Sequence, residues 1–471
     1  MTPRAPQLSV ERALQAARCD DCVVIADETS SANLRWAGNT LTTNGVARSR
    51  QLTVIAISRR GDGVSAGVVS RAGVRDDQIT DIVREAEHAA ADGSPAQDAQ
   101  PLAAPGSLAA GASLSGIISW DEPVTGTEIG VFGSFAPALR DAFSAAASSG
   151  RKLYGYAEHS MTSTFMGSSS GLRLRHDQPA GQVEINAKSA DLASSAWAGV
   201  GTADFADIDV PALEAGLARQ LDWASRRVDL PAGHYETLLP PTAVADLMIY
   251  LYWSACGQDA LDGRTVFSKP GGGTRVGERL AALPLTLRSD PLAPGLQCAP
   301  FVIAHASSRA SSVFDNGLAL APTDWISAGE LAALTHTRHS AQRAGQPVTP
   351  AIGNLTLVAP DAAASLDDMI ARTDRGLLLT CLWFIREVDP QSLLLTGLTR
   401  DGVYLVEHGE VTAAVNNFRF NESPVAMLGR VTEAGATARA LPREWSDYFT
   451  RAAMPPLRVD GFNMSSVSQA S

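Results

Sequence analysis

The chain has 471 residues, 45% hydrophobic and 19% charged, with a net charge of −12 at pH 7. This length and composition predict two or three domains with sizeable cores and exclude a disordered chain. The acidic balance argues against nucleic-acid or anionic-membrane ligands, because phosphate binding needs a basic face. Five cysteines, an N-terminus without an apolar leader and the lack of a long apolar run favour a cytoplasmic protein.

The first part of the chain alternates between helix and strand patterns. Helices are predicted near residues 10–18, 76–92, 127–148 and 211–226, and strands at 22–27, 32–37, 51–59, 64–69, 172–176 and 182–187. Pro137 interrupts the third helix and is expected to kink it. Residues 92–115 are rich in Pro, Gly, Ala and Ser, which predicts a linker.

The second part of the chain is dominated by strand patterns. The segment Leu-Pro-Ala-Gly at 230–233 predicts a domain boundary, with an N-terminal region at 1–229 and a C-terminal domain at 230–471. A helix over 242–256 is apolar on nearly every side and is expected to be buried. Later strands are predicted at 235–239, 355–358, 377–384, 393–397, 403–407 and 411–415. The predicted fold class is therefore α+β, with an N-terminal α/β region followed by a β-rich C-terminal domain.

No local motif supplies a complete catalytic site. Cys19 and Cys22 form a single CxxC pair between a predicted helix and strand, where neither a zinc ribbon nor a thioredoxin site fits. The run Gly-Ser-Ser-Ser-Gly at 167–171 formally matches GxSxG, but a strand follows it, which favours a hairpin turn. His336 and His339 share one face of a helix predicted over 327–343, and a surface pair is favoured over a metal site.

Several sequence blocks resemble the TldD/PmbA family of zinc metallopeptidase-related proteins. The blocks lie at residues 36–45, 233–240, 388–390, 395–402, 404–409, 416–424 and 462–469, the last in the form typical of actinobacterial members. The resemblance implies heterodimers of a TldD-like subunit, which carries the zinc motif HExxxH, and a TldE (PmbA)-like subunit. It further implies a peptidase that acts on unfolded or small modified peptides inside a cavity.

The zinc motif is degenerate in this chain. In the segment that matches it, Trp253 replaces the first histidine, Ser254 the glutamate and Gln258 the second histidine. Indole nitrogen only donates hydrogen bonds and cannot bind zinc. The resemblance therefore implies a TldE-like subunit with no catalytic residue and no metal ligand of its own, inactive alone, with zinc in a TldD-like partner.

Four residues are candidates for a peptide cavity: Cys256, His234, Trp383 and Arg400. A buried, small apolar role for Cys256 and a core role for the aromatic residues remain the simpler interpretations. Two other functions stay open. One is a diverged member that processes amides or peptides in natural-product biosynthesis, with Cys256 or His234 as its nucleophile. The other is a regulatory binding scaffold.

Overall fold

The computed structural model describes residues 5–61, 63–105 and 119–468. Residues 106–115 of the predicted linker and Gln469 of the last family block lie outside these ranges. The helices are α1 (Pro6–Ala16), α2 (Ile79–Asp92), α3 (Phe135–Ser148), α4 (Val210–Trp223), α5 (Pro241–Trp253), α6 (Gly257–Leu261), α7 (Arg338–Ala344), α8 (Leu366–Ala371) and α9 (Pro424–Leu428). Among these helices, none combines the length and apolar character needed to cross a membrane.

The first sheet is antiparallel throughout and has the order β3-β2-β1-β4-β5-β6. Its strands are β1 (Asp21–Ala37), β2 (Thr40–Arg60), β3 (Gly63–Ala72), β4 (Lys152–Ser168), β5 (Arg173–Lys188) and β6 (Ser195–Thr202). In β1 the run Cys22–Ala26 is buried on both faces. One face packs under α1 and α2, and the other contacts Phe301 and Phe314 of the C-terminal half. This double burial explains why the run is continuously apolar.

The remaining strands form two further sheets. They are β7 (Arg227–Val228), β8 (Gly233–Leu239), β9 (Thr286–Ser289), β10 (Thr323–Ser327), β11 (Glu330–Leu331), β12 (Leu355–Val358), β13 (Arg375–Leu379), β14 (Leu382–Asp389), β15 (Leu394–Thr399), β16 (Val403–Glu407), β17 (Glu410–Val415), β18 (Phe418–Glu422), β19 (Val431–Ala434), β20 (Ala438–Ala440), β21 (Ala452–Met454) and β22 (Leu457–Val467). The second sheet has the order β11-β10-β9-β12-β21-β20. The third has the order β14-β15-β18-β22-β8-β13-β16-β17-β7, with β19 paired to β22. The α+β fold class is confirmed.

Helix α5 is the centre of the C-terminal core. Its side chains share one apolar cluster with Leu287 and Leu357 of the second sheet and with Leu377 and Leu405 of the third. Both sheets cover this helix along most of its length and only its last turn carries an exposed side chain, which is why its sequence carries no polar stripe. The prediction of a buried helix here is confirmed, although the helix ends at Trp253 rather than at residue 256.

The N-terminal strand predictions were too short. Residues 22–27 and 32–37 belong to the single strand β1, because hydrogen bonds to β2 and β4 on both sides carry it through the polar segment between them. Residues 152–189 likewise form two long strands, β4 and β5, joined at the predicted turn. The predicted kink at Pro137 is wrong. Helix α3 begins at Phe135, so Pro137 lies in its first turn, where no hydrogen bond is lost.

Two C-terminal predictions were also wrong. The segment 377–384 breaks at Thr380 and Cys381 into β13, inside the third sheet, and β14, at its edge. The helix predicted over 327–343 is instead the β10–β11 hairpin followed later by the short helix α7. His336 precedes α7 and is buried, 3% exposed, so it does not form a surface pair with His339.

Candidate functional site

The degenerate motif lies where α5 ends and α6 begins. Thr335 donates its backbone N–H to Ala255 and accepts one from Gly257, which draws this segment out of the helix. The turn leaves Trp253, Ser254 and Cys256 on the wall of a cleft of about 620 Å³. We call this the aromatic cleft; its other lining residues are Tyr250, Asp259, Arg264, Thr265, Ile385, Arg386, Glu387, Pro390 and Trp445.

One wall of the aromatic cleft is formed by stacked rings. Trp445 lies edge-on to Trp253 with ring centroids 5.2 Å apart, and Tyr250 lies 5.5 Å from Trp445. The indole of Trp445 donates to the carbonyl of Asp246 at 2.9 Å, which fixes its ring. Trp253 remains 42% exposed. A large aromatic side chain that stays exposed while its neighbour is fixed is typical of a binding surface.

The rim of the cleft carries charges of both signs. Within the described residues, the carboxylate of Glu387 and the guanidinium of Arg264 make no hydrogen bond or ion pair. Burial, and then the neighbouring Asp389, raise the pKa of Glu387 above its ordinary value. Asp259, by contrast, is paired with Arg309. The cleft therefore offers one anionic and one cationic group beside an apolar wall.

The wall of the cleft is held by a second cluster, which we call the polar junction and define as Glu184, Asp246 and residues 443–446. The fully buried carboxylate of Asp246 accepts the backbone N–H groups of Arg443 at 3.2 Å and of Glu444 at 2.9 Å. Burial is the main reason that the pKa of Asp246 lies well above its ordinary value. The carboxylate of Glu184, on β5 of the first sheet, accepts from Arg443 at 2.7 Å. The junction therefore fixes Trp445 relative to both halves of the chain.

Residues 232–466 match a family model described as the PmbA/TldA metallopeptidase C-terminal domain. The chain belongs to the TldD/PmbA family. Three solved structures resemble the chain over nearly its whole length at low sequence identity, so they support the fold alone. TldE from Thermococcus kodakarensis has 15% sequence identity and a TM-score of 0.77, and the match covers 96% of this chain and 98% of that one. A proposed modulator of DNA gyrase from Bacteroides thetaiotaomicron has 14% identity and a TM-score of 0.74, with 98% of each chain covered. A proposed modulator of DNA gyrase from Thermotoga maritima has 15% identity and a TM-score of 0.73, with 97% of this chain and 99% of that one covered. No curated protein matches the sequence.

The zinc chemistry of the TldD/PmbA family does not fit the residues at this position. The Ser254 hydroxyl donates to the carbonyl of Tyr250 at 2.9 Å, and the backbone carbonyl of Gln258 accepts from Arg309 at 3.3 Å. Within the described ranges, no group of three or more His, Cys, Asp or Glu side chains is placed to hold a metal ion. A zinc site needs three or four nitrogen, sulfur or carboxylate ligands.

The four predicted cavity residues of this family member do not come together. Cys256 lines the aromatic cleft, and its thiol donates to the carbonyl of Arg309 at 3.4 Å. His234 lies exposed on β8 beside the carbonyl of Gly461, and Arg400 lies after β15, 4.0 Å from Asp401. Trp383, on β14, stacks on Arg443 at 4.0 Å and so contacts the polar junction instead.

Burial raises the pKa of the Cys256 thiol, and this bears on the nucleophile hypothesis. A nucleophilic cysteine needs a lowered pKa and a base within hydrogen-bond reach. The imidazole of His336 packs on Gly257, the neighbour of Cys256, but its Nδ1 lies 3.1 Å from the hydroxyl of Ser340, and no hydrogen bond joins it to the thiol within the described residues. The environment of Cys256 therefore matches a small buried side chain.

Sequence reasoning missed Trp445, Tyr250, Glu387 and Arg264. Trp445 and Glu387 come from remote segments, and no spacing pattern links them to the degenerate motif. Tyr250 lies one helical turn before Trp253 on α5, and Arg264 lies just after α6, so spacing could have pointed to these two residues. A further signal was available. Asp246 is an acid inside an otherwise apolar helix, and a buried carboxylate needs hydrogen-bond donors from elsewhere in the chain.

Proposed function

We propose that this chain is the TldE-like subunit of a TldD/TldE metallopeptidase, and that its aromatic cleft binds unfolded or small modified peptides for a zinc-bearing partner. The observation that carries the proposal is the state of the degenerate motif: the position of the zinc ligands is occupied by the wall of an open cleft. A net charge of −12 disfavours nucleic acids and leaves peptides as the ligand class. The proposed site of action is the cytoplasm.

The chemistry of the cleft supports a peptide ligand. Its volume of about 620 Å³ lies within the range of small-molecule and short-peptide sites. The face of Trp253 can cover an apolar side chain, while Glu387 and Arg264 can pair with charges of either sign. Adjacent sites for apolar and charged groups suit a ligand that varies along its length, as a peptide does.

The roles of the two subunits follow from the residues present. A peptidase needs a metal-bound water and a carboxylate beside it to take the proton. Ser254 stands where that carboxylate would be and is engaged with the carbonyl of Tyr250. In the proposed assembly the partner supplies zinc, water and base, and this chain supplies part of the peptide-binding surface.

Co-expression tests the proposal. This chain is produced alone and together with a TldD-like subunit that carries an intact HExxxH, and both samples are assayed for zinc and for hydrolysis of fluorescein-labelled casein, an unfolded substrate. We expect a stable heterodimer with one zinc per pair and hydrolysis only by the pair. The matched control is the same pair with the partner's motif glutamate replaced by glutamine, which should assemble and stay inactive.

Two results would contradict the proposal. One is tightly held zinc in the isolated chain at one ion per molecule. The other is casein hydrolysis by the isolated chain that disappears in Cys256→Ser, which would instead support the diverged-enzyme hypothesis. Failure to assemble with any HExxxH-bearing subunit would favour the regulatory scaffold.

A further inference from the structure

A second cavity, separate from the aromatic cleft, has a partly buried arginine on its wall. It has a volume of about 320 Å³ and lies between β4 and β5 of the first sheet and the loops before β10 and β12. Arg451, just before β21, borders it. The Nε of Arg451 donates to the carbonyl of Gly353 at 3.0 Å.

Arg451 lacks a counter-charge within the described residues. Asp315, the carboxylate among the described residues that line this cavity, is neutralised by Arg338 at 2.7 Å, and Asp177, next to the lining His176, is neutralised by Arg175 at 2.8 Å. Burial lowers the pKa of Arg451, but a guanidinium stays charged at neutral pH. A partly buried charge without a partner loses part of its hydration, so its presence beside a cavity calls for an explanation.

The other polar groups around the cavity do not supply a negative charge. His176 has its pKa lowered, by burial first, and its Nε2 is 3.1 Å from the side-chain oxygen of Gln178. Burial raises the pKa of the Cys298 thiol, which keeps it protonated. The cavity is therefore a site of net positive charge with mainly apolar walls that include Phe301, Ile303 and Leu320.

We propose that this cavity binds the carboxylate of a small apolar acid, and specifically the C-terminal carboxylate of a peptide whose last residue is apolar. The free guanidinium nitrogens of Arg451 match a carboxylate in a two-pronged pair. A monoanion fits better than phosphate, because one positive charge is available and Asp315 and Asp177 lie nearby. The apolar walls would bury the last side chain. The inference does not depend on the proposed function of the aromatic cleft.

Isothermal titration calorimetry with matched ligands tests this site on the full chain. The ligands are acetyl-Ala-Ala-Leu with a free carboxylate, the same tripeptide as its C-terminal amide, and hexanoate. Wild type should bind the free acid at least about tenfold more tightly than the amide, because the amide loses the charge-assisted pair. Hexanoate that binds as tightly as the peptide acid would identify a small organic acid rather than a peptide terminus as the ligand, and would overturn the specific proposal.

Three variants assign the effect to Arg451. Arg451→Met should remove the preference for the acid over the amide, and Arg451→Lys should weaken acid binding several-fold while keeping part of the preference. The matched control is Arg60→Met, since the exposed Arg60 likewise donates to a backbone carbonyl, that of Ala91 at 2.9 Å. It should bind like wild type. If Arg451→Met does not fold, the Arg451→Lys result decides.

Three further results would overturn the proposal. They are equal affinity of wild type for acid and amide, no binding of either, and an acid preference that survives in Arg451→Met or is unchanged in Arg451→Lys.

Discussion

The polar junction and the aromatic cleft share the segment 443–446 but differ in how their groups are partnered. In the junction, Glu184 accepts hydrogen bonds from Tyr156, Trp197, Arg443 and Ser446. In the cleft, Trp253 is half-exposed, and Glu387 and Arg264 have no partner within the described residues. The four hydrogen bonds to Glu184 indicate a structural role, whereas the available groups of the cleft indicate a site where a ligand supplies the missing contacts.

The largest effect is expected from Glu184→Ala, which tests whether the junction holds the two halves together. The substitution leaves the side chain of Arg443 charged, largely shielded from water at 16% exposure, and without its carboxylate. Breaking a buried pair in this way costs about 3–5 kcal/mol. Thermal unfolding of the isolated chain should show a lower melting temperature. The paired variant Glu184→Ala/Arg443→Met should recover much of the loss, and a single variant with wild-type stability would mean that the junction is not structural.

The second largest effect is expected from Gly257→Ala, which tests whether the segment after Cys256 packs tightly against His336. A Cβ at Gly257 would lie 2.0 Å from the ring of His336, so the ring or the start of α6 must move. Overpacking of this kind costs about 3 kcal/mol. The control is Gly216→Ala in α4, where a Cβ meets nothing within 4 Å and a small gain is expected. Equal melting temperatures for the two variants would contradict the tight contact.

The fold was predictable wherever burial was uniform. Helix α5 lies between two sheets, and the apolar residues on nearly every side of it predicted this burial from the sequence. Strand β1 was predicted as two pieces because its middle, around Glu28, is polar. Backbone hydrogen bonds to the neighbouring strands β2 and β4 hold that part in place, and backbone pairing cannot be predicted from the pattern of apolar and polar side chains.

The site was predictable only through the degenerate motif. Trp253, Ser254 and Cys256 were found because they occupy the positions of a known pattern. Trp445 was not, since its place beside Trp253 depends on a hydrogen bond to Asp246 in a distant helix. Contacts between remote segments carry no periodicity, so local patterns cannot reveal them.

Asp246→Asn tests the junction through pH. The folded-state pKa of Asp246 is raised, so the folded chain holds this proton more tightly than the unfolded chain does. The resulting stabilisation is full below the unfolded pKa of about 4 and is lost as pH rises through the folded pKa. Asparagine does not titrate, and its amide opposes one of the two backbone donors from Arg443 and Glu444, at a cost of about 1–2 kcal/mol.

The measurement is the difference in melting temperature between Asp246→Asn and wild type at several pH values from 4.5 to 8. The deficit of the variant should shrink as the pH rises, because only wild type loses stability through this group. A deficit that grows with pH would mean that the carboxylate, held by its two N–H donors, is the favoured form. In that case hydrogen bonding rather than burial would dominate the site.

The smallest effect on stability is expected from Trp253→Ala, which separates the cleft from the junction most directly. Trp253 is 42% exposed and gives up its edge contacts with Trp445 and Phe449, together worth about 1 kcal/mol. Its effect on ligand binding should be larger, since it removes the available face of the cleft. Peptide capture should therefore weaken several-fold while the melting temperature changes little, as measured by fluorescence anisotropy with labelled casein and the inactive pair, in which the partner's motif glutamate is replaced by glutamine. Tyr448→Ala is the matched control, because Tyr448 is an aromatic residue 77% exposed outside the cleft. Equal losses of binding in both variants would show that exposed aromatic area, rather than this cleft, captures the peptide, and the contrast between the two regions would then lose its functional meaning.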